Sequence, residues 1–351
     1  MDTNIKNYLR NICLKLEINI SNLTICTIKM IKFDEKDRKI LFELDTNSRQ
    51  SIQQISRNVD FHKNAVRYRI KRLEKLGVIK NYYTVIDSHK LGYMVIKLYT
   101  KYQNITSKIQ KEIIKYFTLN KKTWVVYSIA GAFDLDVIFW VKSLDEFSSF
   151  WEKTLERYGT YFKAPKLFFQ MQEMSFKPLY LINTNKRQDK EPFELSGGTS
   201  NISLDTLDYQ LLHLIASNAR IPLIDMVKRL NVSSNIVRYR LKKLRKSQVI
   251  QGFRTNIDIT KLGYMSLKAD LFLNTYEDRF QIINHLKSNP YVVCIMNSLG
   301  YSHLEIEFNI KDINHFYDIM KDLMDTFPTV INSYQYFSII ENHKLCWMPE
   351  E

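Results

Sequence analysis

The sequence predicts an α+β chain in which one pattern is built twice: a winged helix-turn-helix followed by a βαββαβ, ferredoxin-like module. Three observations carry this. Residues 34–94 align without a gap to residues 205–265 at a constant offset of 171, with 23 of 61 pairs identical, the signature of an internal repeat. The first sixty residues of each copy place apolar side chains at helical spacing. The remainder of each copy alternates as strand, helix, strand, strand, helix, strand.

The elements of the first copy follow in order. Asp34 to Asp37 give an acidic start to a helix carrying Ile40, Leu41 and Leu44, as helix N-termini favour. Ser51 begins a second helix bearing Ile52 and Ile55, and Val59-Asp60-Phe61 is a turn. A third helix runs from about His62 to Leu76, with Val66, Ile70 and Leu73 as its buried stripe and Gly77 as its stop. Val78-Ile79 and Tyr82 to Ile86 are expected to form a short hairpin, the wing. Ile96, Leu98, Thr100 and Tyr102 alternate with Lys97 and Lys101, reading as a half-buried strand. A helix near Ser107 to Phe117, strands at Trp124 to Ile129 and Phe133 to Val141, a helix over Leu144 to Tyr158 and a strand at Leu167 to Glu173 complete the module. In the second copy, Leu304, Ile306, Phe308 and Ile310 alternate with Glu305, Glu307 and Asn309. Helices cover one face of each four-stranded sheet, so the other face needs a partner, expected to be the second sheet.

Six segments result: an N-terminal extension at 1–30 (or Met30 is the true start), winged units at 31–93 and 204–264, ferredoxin-like modules at 94–182 and 265–345, and a linker at 183–203 rich in charge, Pro and Gly.

Lys+Arg 51 against Asp+Glu 37 gives a net charge of +14, which points to a polyanionic partner, nucleic acid before membrane. No stretch is long and apolar enough to span a bilayer. Cys13, Cys26, Cys294 and Cys346 show no C-x-x-C spacing, and no pair of the seven histidines has ligand spacing. The expectation is a cytoplasmic protein with reduced thiols, no metal, no cofactor and no catalytic residues; none of the nine glycines builds G-x-G-x-x-G.

In a helix-turn-helix the second helix of the motif enters the major groove of double-stranded DNA. Its outward positions should then be basic and polar. The first copy offers Lys63, Asn64, Arg67, Tyr68, Lys71, Arg72 and Lys75; the second offers Ser233, Ser234, Asn235, Arg238, Tyr239, Lys242, Lys243 and Lys246. Lys63, Asn64 and Arg67 lie in the first turns, where the helix end meets base edges, and Asn can read adenine and Arg guanine bidentately. Lys71, Arg72 and Lys75 lie further along and suit phosphates. Tyr68 and Tyr239 suit either the DNA backbone or packing against the wing. Arg49 and Arg220 suit either a phosphate or an acid of the first helix.

The motifs Asp34-x-x-Asp37-x-x-Ile40-Leu41, Asn47-x-Arg49, Val66-x-x-Arg69-Ile70-x-x-Leu73-x-x-x-Gly77-Val78-Ile79 and Leu91-Gly92 resemble those of the Lrp/AsnC, or feast/famine, regulators. The resemblance implies a winged helix-turn-helix joined to an effector (RAM-type) module, and it covers about residues 31–176 and 202–340. Gly131-Ala132-Phe133-Asp134-Leu135 is similar to the Gly-x-x-Asp loop near which family members bind amino acids or related effectors between paired modules. Gly131, Asp134, Gly300 and His303 are the matching positions. The chain departs from the family in carrying two units, in His62 where a Ser cap is usual (Ser233 keeps it), in Gln248 where Gly77 stands, and in His303 where the first copy has Asp134. The implied function is a DNA-binding transcriptional regulator acting as an intrachain pseudo-dimer, with a small effector such as an amino acid and with further self-association left open. The alternative is an enzyme: siroheme decarboxylases look like the same two-domain unit, with a tetrapyrrole pocket rich in His and Arg. Trp124 to Asp136 holds neither residue type, and His303 and His315 are the candidates in the second copy.

Overall fold

A computed structural model of the protein describes residues 33–182, 192–196 and 202–349. The expected extension at 1–30 and most of the 183–203 linker lie outside the described residues. The first copy contains α1 (Glu35–Thr46), α2 (Ile52–Asn58), α3 (Lys63–Lys75), β1 (Ile79–Ile86), β2 (Met94–Tyr102), α4 (Ser107–Leu119), β3 (Thr123–Gly131), β4 (Leu135–Val141), α5 (Leu144–Tyr158) and β5 (Phe162–Ser175). After β6 (Phe193–Leu195), the second copy contains α6 (Thr206–Ala216), α7 (Leu223–Leu230), α8 (Ser234–Lys246), β7 (Ile250–Ile257), β8 (Met265–Leu273), α9 (Arg279–Leu286), β9 (Val292–Leu299), β10 (Leu304–Ile310), α10 (Ile313–Thr326) and β11 (Ile331–Leu345).

Each ferredoxin-like module makes a four-stranded antiparallel sheet, β5-β2-β4-β3 in one half and β11-β8-β10-β9 in the other. The sheets then join edge to edge. β3 pairs with β11 and β9 pairs with β5, so eight strands close on themselves and no edge strand of either sheet is left open. The helices lie outside. Ile96, Leu98, Val137 and Phe139 face α4 and α5 in one core. Leu267, Ala269, Leu271 and Ile306 face α9 and α10 in the other.

The strand reading of β2 needs a correction. Lys97 was expected on a half-exposed face but is fully buried inside the closed ring, as are Lys268, Asp136, Asp270 and Glu305. Strand alternation sends these residues to the face opposite the apolar core, and ring closure removes that face from water. Burial of a lone charge is very costly; here Lys97, Lys268, Asp136 and Glu305 are ion-paired, and Asp270 accepts from Ser302 at 3.1 Å. Lys97 of the first half donates to Glu305 of the second. Lys268, the repeat-equivalent of Lys97, reaches Asp136 of the first half at 3.1 Å and Glu305 at 3.5 Å. Tyr99 also donates to Glu305.

The wing differs from the expected hairpin. β1 is one continuous strand, and it pairs antiparallel with β7, its counterpart in the other half, with Tyr82 opposite Thr255 and Tyr83 opposite Arg254. Nothing in the sequence between Ile79 and Ile86 supplies a two-residue primed turn, which a tight hairpin needs; the strand satisfies its backbone on the second copy instead. The linker also holds order: β6 pairs with the end of β5, and Ser196 donates to Asp87 at 2.6 Å. Phe193 lies so close to Gly252 that a Cβ there would sit 2.3 Å from its ring, which is why the second copy has glycine where the first has Asn81.

Two predictions follow from the crosswise pairs. Lys268→Ala leaves the buried Asp136 without its cation and Lys97→Ala removes the nearer of the two cations of Glu305; each should cost about 3–5 kcal/mol in urea unfolding, and a loss below about 1 kcal/mol would contradict the pairing. Burial alone would raise the Glu305 carboxyl, but Lys97 and Lys268 and the hydrogen bonds from Lys97 and Tyr99 outweigh it and hold it at about 2, against 4.5 for an ordinary glutamate. Its contribution is therefore fully present above pH 4.5 and is lost as pH falls toward 2. Glu305→Gln should flatten the stability curve in that window, measured by unfolding at stepped pH.

Candidate nucleic-acid interface

The third helices of the two copies, α3 and α8, are shaped by the same local chemistry. His62 accepts the Asn64 N–H at 3.3 Å and Ser233 accepts the Ile236 N–H at 3.4 Å, so both residues cap their helices. Val66, Ile70 and Leu73 bury one face of α3, and Val237 and Leu244 bury the same face of α8. At the C-terminal ends, Gly77 takes φ +66° and Gln248 φ +58°. Gln248 keeps the glycine's left-handed geometry because Val249 N–H still reaches the Leu244 carbonyl at 3.0 Å, as Val78 N–H reaches Leu73.

The basic residues separate into two groups. Lys63, Asn64, Arg67, Tyr68, Lys71 and Lys75 are exposed on α3. Ser233, Ser234, Asn235, Arg238, Tyr239, Lys242, Arg245 and Lys246 are exposed at the matching positions of α8. Tyr68 and Tyr239 stand 69% and 67% exposed rather than packed against the ribbon. Arg67 donates to Asn64 Oδ1 at 3.3 Å, so these two present one polar surface in the first turn.

Four other basic side chains turn inward. Arg69 and Arg72 bind the buried Asp37 at 2.8 and 3.4 Å. Arg240 and Lys243 bind the buried Asp208, each at 3.0 Å. Arg72 is expected at a phosphate and Lys243 at DNA; in the structure both pair with the first helix of their own unit. The spacing that misled is simple: in an α-helix, residues 69 and 72 lie one turn apart on the flank between the buried stripe and the outward face.

The two units lock together through reciprocal contacts. Arg49 donates to the Ala219 carbonyl at 2.6 Å and stacks on Phe253. Its counterpart Arg220 donates to the Ser48 carbonyl and stacks on Tyr82. Both arginines therefore bind the opposite unit rather than a phosphate or an acid of the first helix. Lys261 reaches the Leu76 carbonyl at 2.7 Å and Lys90 reaches the Ser247 carbonyl at 3.3 Å. Each of these lysines places a cation on the C-terminal end of the other half's recognition helix, where the helix dipole favours it. Both lysines open a repeated Lys-Leu-Gly-Tyr-Met block, at 90–94 and 261–265; its repetition and the Leu91-Gly92 motif mark it in the sequence, but neither assigns the lysines a role.

The expected effector loops are used by the backbone. Asp134 Oδ2 accepts the Tyr102 N–H at 2.8 Å, and His303 Nδ1 accepts the equivalent Leu273 N–H at 2.8 Å. The histidine thus substitutes for the aspartate as an acceptor. Gly131 has φ +137° and Gly300 φ +109°, and a Cβ on Gly131 would meet the Tyr336 carbonyl at 2.6 Å. Among the described residues no cluster of His, Cys, Asp or Glu could hold a metal ion, and no helix is long and apolar enough to cross a membrane.

This pair of capped basic helices in tri-helical frames is that of a winged helix-turn-helix, DNA-binding protein, and the family model of that description matches twice, at residues 33–80 and 204–251. An uncharacterised HTH-type transcriptional regulator of Pyrococcus furiosus is 32% identical over 134 residues, 37% of this chain and 84% of that protein. The regulatory protein AsnC of Haemophilus influenzae is 33% identical over 92 residues, 26% of this chain and 61% of that protein. The crystal structure of the siroheme decarboxylase NirDL shares the fold with a TM-score of 0.60 at 12% identity, over 90% of this chain and 94% of that one. The chain belongs to the Lrp/AsnC family of transcriptional regulators and carries two of its units in tandem.

The division of the arginines is testable. Arg69→Ala and Arg240→Ala should each cost about 1–3 kcal/mol in urea unfolding, because a buried carboxylate loses a donor. Arg67→Ala and Arg238→Ala should fall within about 0.5 kcal/mol of the parent. The reverse order would show that the inward and outward groups are misassigned.

Proposed function

We propose that one chain acts as a pseudo-dimeric regulator that binds double-stranded DNA in a sequence-specific way, with α3 and α8 in successive major grooves. The observation that carries this reading is the matched pair of exposed first turns, Asn64 with Arg67 and Asn235 with Arg238, on two helices held to each other by the reciprocal Lys90 and Lys261 contacts. Asn64, Arg67, Asn235 and Arg238 read bases. Lys63, Lys71, Lys75, Lys242, Arg245 and Lys246 meet phosphates, and Tyr68, Tyr239, Ser233 and Ser234 flank them. The protein works in the cytoplasm, where its DNA is.

The fold shared with NirDL across both halves favours one second reading, a tetrapyrrole enzyme. Against it, His303 Nδ1 is occupied by a backbone N–H, and the interior of the strand ring carries more carboxyls than lysines, a poor host for a polycarboxylate. A Soret band that shifts when siroheme is added to purified protein would favour the enzyme.

Eight basic side chains project outward from α3 and α8. If roughly 6–8 of them meet phosphates, affinity should fall about 10³–10⁵-fold between 50 and 200 mM salt; a flat response in fluorescence anisotropy would reject nucleic acid. Arg67→Ala and Arg238→Ala should each relax base preference in one half-site by about 1–3 kcal/mol, whereas Lys75→Ala and Lys246→Ala should weaken all sequences alike. The shared Asn64 with Arg67 and Asn235 with Arg238 should read shared bases, while the differing neighbours, Ala65 against Ile236, should not. Site selection is therefore expected to return an imperfect palindrome, and a perfect one would contradict two unlike helices.

A further inference from the structure

A cavity of about 260 Å³ lies between the β1–β7 ribbon and the adjoining mouth of the strand ring. Tyr83 and Arg254 of the ribbon line it on one side, and Trp124, Tyr127, Glu173 and Glu307 line it on the other. The volume is roughly that of eight or nine waters at about 30 Å³ each, enough for a small organic molecule.

The charges at this mouth do not balance. Arg254 is committed to Asp45, and Lys268 bridges Asp136 and Glu305. That leaves Glu173 and Glu307, which among the described residues have no ion-pair partner within 4 Å. Glu173 receives Gln170 at 2.9 Å and Ser175 at 2.9 Å; Glu307 receives Ser266 at 3.2 Å. The position is special to one half, since the first copy has Ile138 opposite Lys97 where the second has Glu307 opposite Lys268. Burial first, with repulsion from Glu305 and Glu173, pushes the Glu307 carboxyl up against the opposing pull of Lys268 and the Ser266 hydrogen bond.

A second observation points to a donor. Gln170 is only 2% exposed and lines the cavity. Its amide nitrogen must face Glu173, because a carboxylate only accepts. Its carbonyl oxygen is then left as a buried acceptor without a partner, and buried acceptors are seldom left so. The aromatic walls add ring faces that attract a cation.

We propose that this cavity binds a small aliphatic ammonium ion, held by Glu173, Glu307 and the Gln170 carbonyl oxygen, with its carbon chain against Trp124 and Tyr127. The ammonium supplies three N–H donors to three acceptors and the positive charge that the mouth lacks. The site stands independently of the DNA reading, because its test needs no DNA.

The experiment is calorimetric titration of the full chain with 1,4-diaminobutane and with 1-butylamine, against 1-butanol and glutarate as uncharged and anionic probes. The amines should bind saturably and the other two should not. Glu173→Gln and Glu307→Gln should each weaken amine binding about tenfold or more, as expected for losing a charged hydrogen bond. Both variants should keep or raise the melting temperature of the ligand-free protein, which separates lost binding from lost folding. Absence of saturable amine binding, equal binding of glutarate, or undiminished binding in both variants would overturn the proposal.

Discussion

The crosswise pairing of Lys97 with Glu305 and of Lys268 with Asp136 is the interaction on which the rest of the structure depends. Lys97 finds its carboxylate only in the other half, and Lys268, which has Glu305 of its own half at 3.5 Å, gains the nearer Asp136 at 3.1 Å only when the two sheets close into one ring. A half folded alone would hold a lysine and a carboxylate on a face with nothing opposite. Such pairs add little net stability over apolar residues of the same size, but breaking one is expensive. Their effect is to penalise any arrangement other than the one in which the halves meet in this register.

The same reciprocity runs outward from the ring. β1 and β7 pair about the same approximate two-fold. Thr84 donates to the Ile215 carbonyl at 2.7 Å, and its counterpart Thr255 donates to the Leu44 carbonyl at 2.9 Å. Arg49 and Arg220 exchange carbonyls, and Lys90 and Lys261 exchange helix ends. The two winged units are therefore positioned relative to each other by contacts that cross between halves, a self-complementary arrangement of the kind seen at two-fold interfaces. Fusion of the two copies in one chain frees residues from obeying that symmetry. Asp45 with Arg254, and Glu307 opposite Lys268, are departures that an identical dimer could have only in duplicate.

Much of this was legible. Apolar spacing located the helices to within a residue or two, and α5 runs from Leu144 to Tyr158 as expected. The second helix begins at Ser51 as expected, and the structure shows that this serine is its cap. The repeat announced two recognition helices, and the outward residues of their first turns stand where the helical period places them. What sequence could not supply was the destination of charged residues on flanks and inner faces. Lys97 on an alternating strand looks solvent-facing until the ring closes. Arg72 and Lys243 are basic like the outward-facing residues of the same helices and differ in the buried aspartate that each meets. The wing strand was misread because local pattern cannot show that its partner lies 171 residues away.

The central claim is that a single chain supplies both halves of the ring and both recognition helices. Light scattering of the chain, alone and on a duplex carrying its selected site, tests it most directly. The account predicts one chain of 41.8 kDa in free solution and one chain per duplex on DNA. A particle that is always two chains, and that binds the same duplex only as two chains, would contradict it.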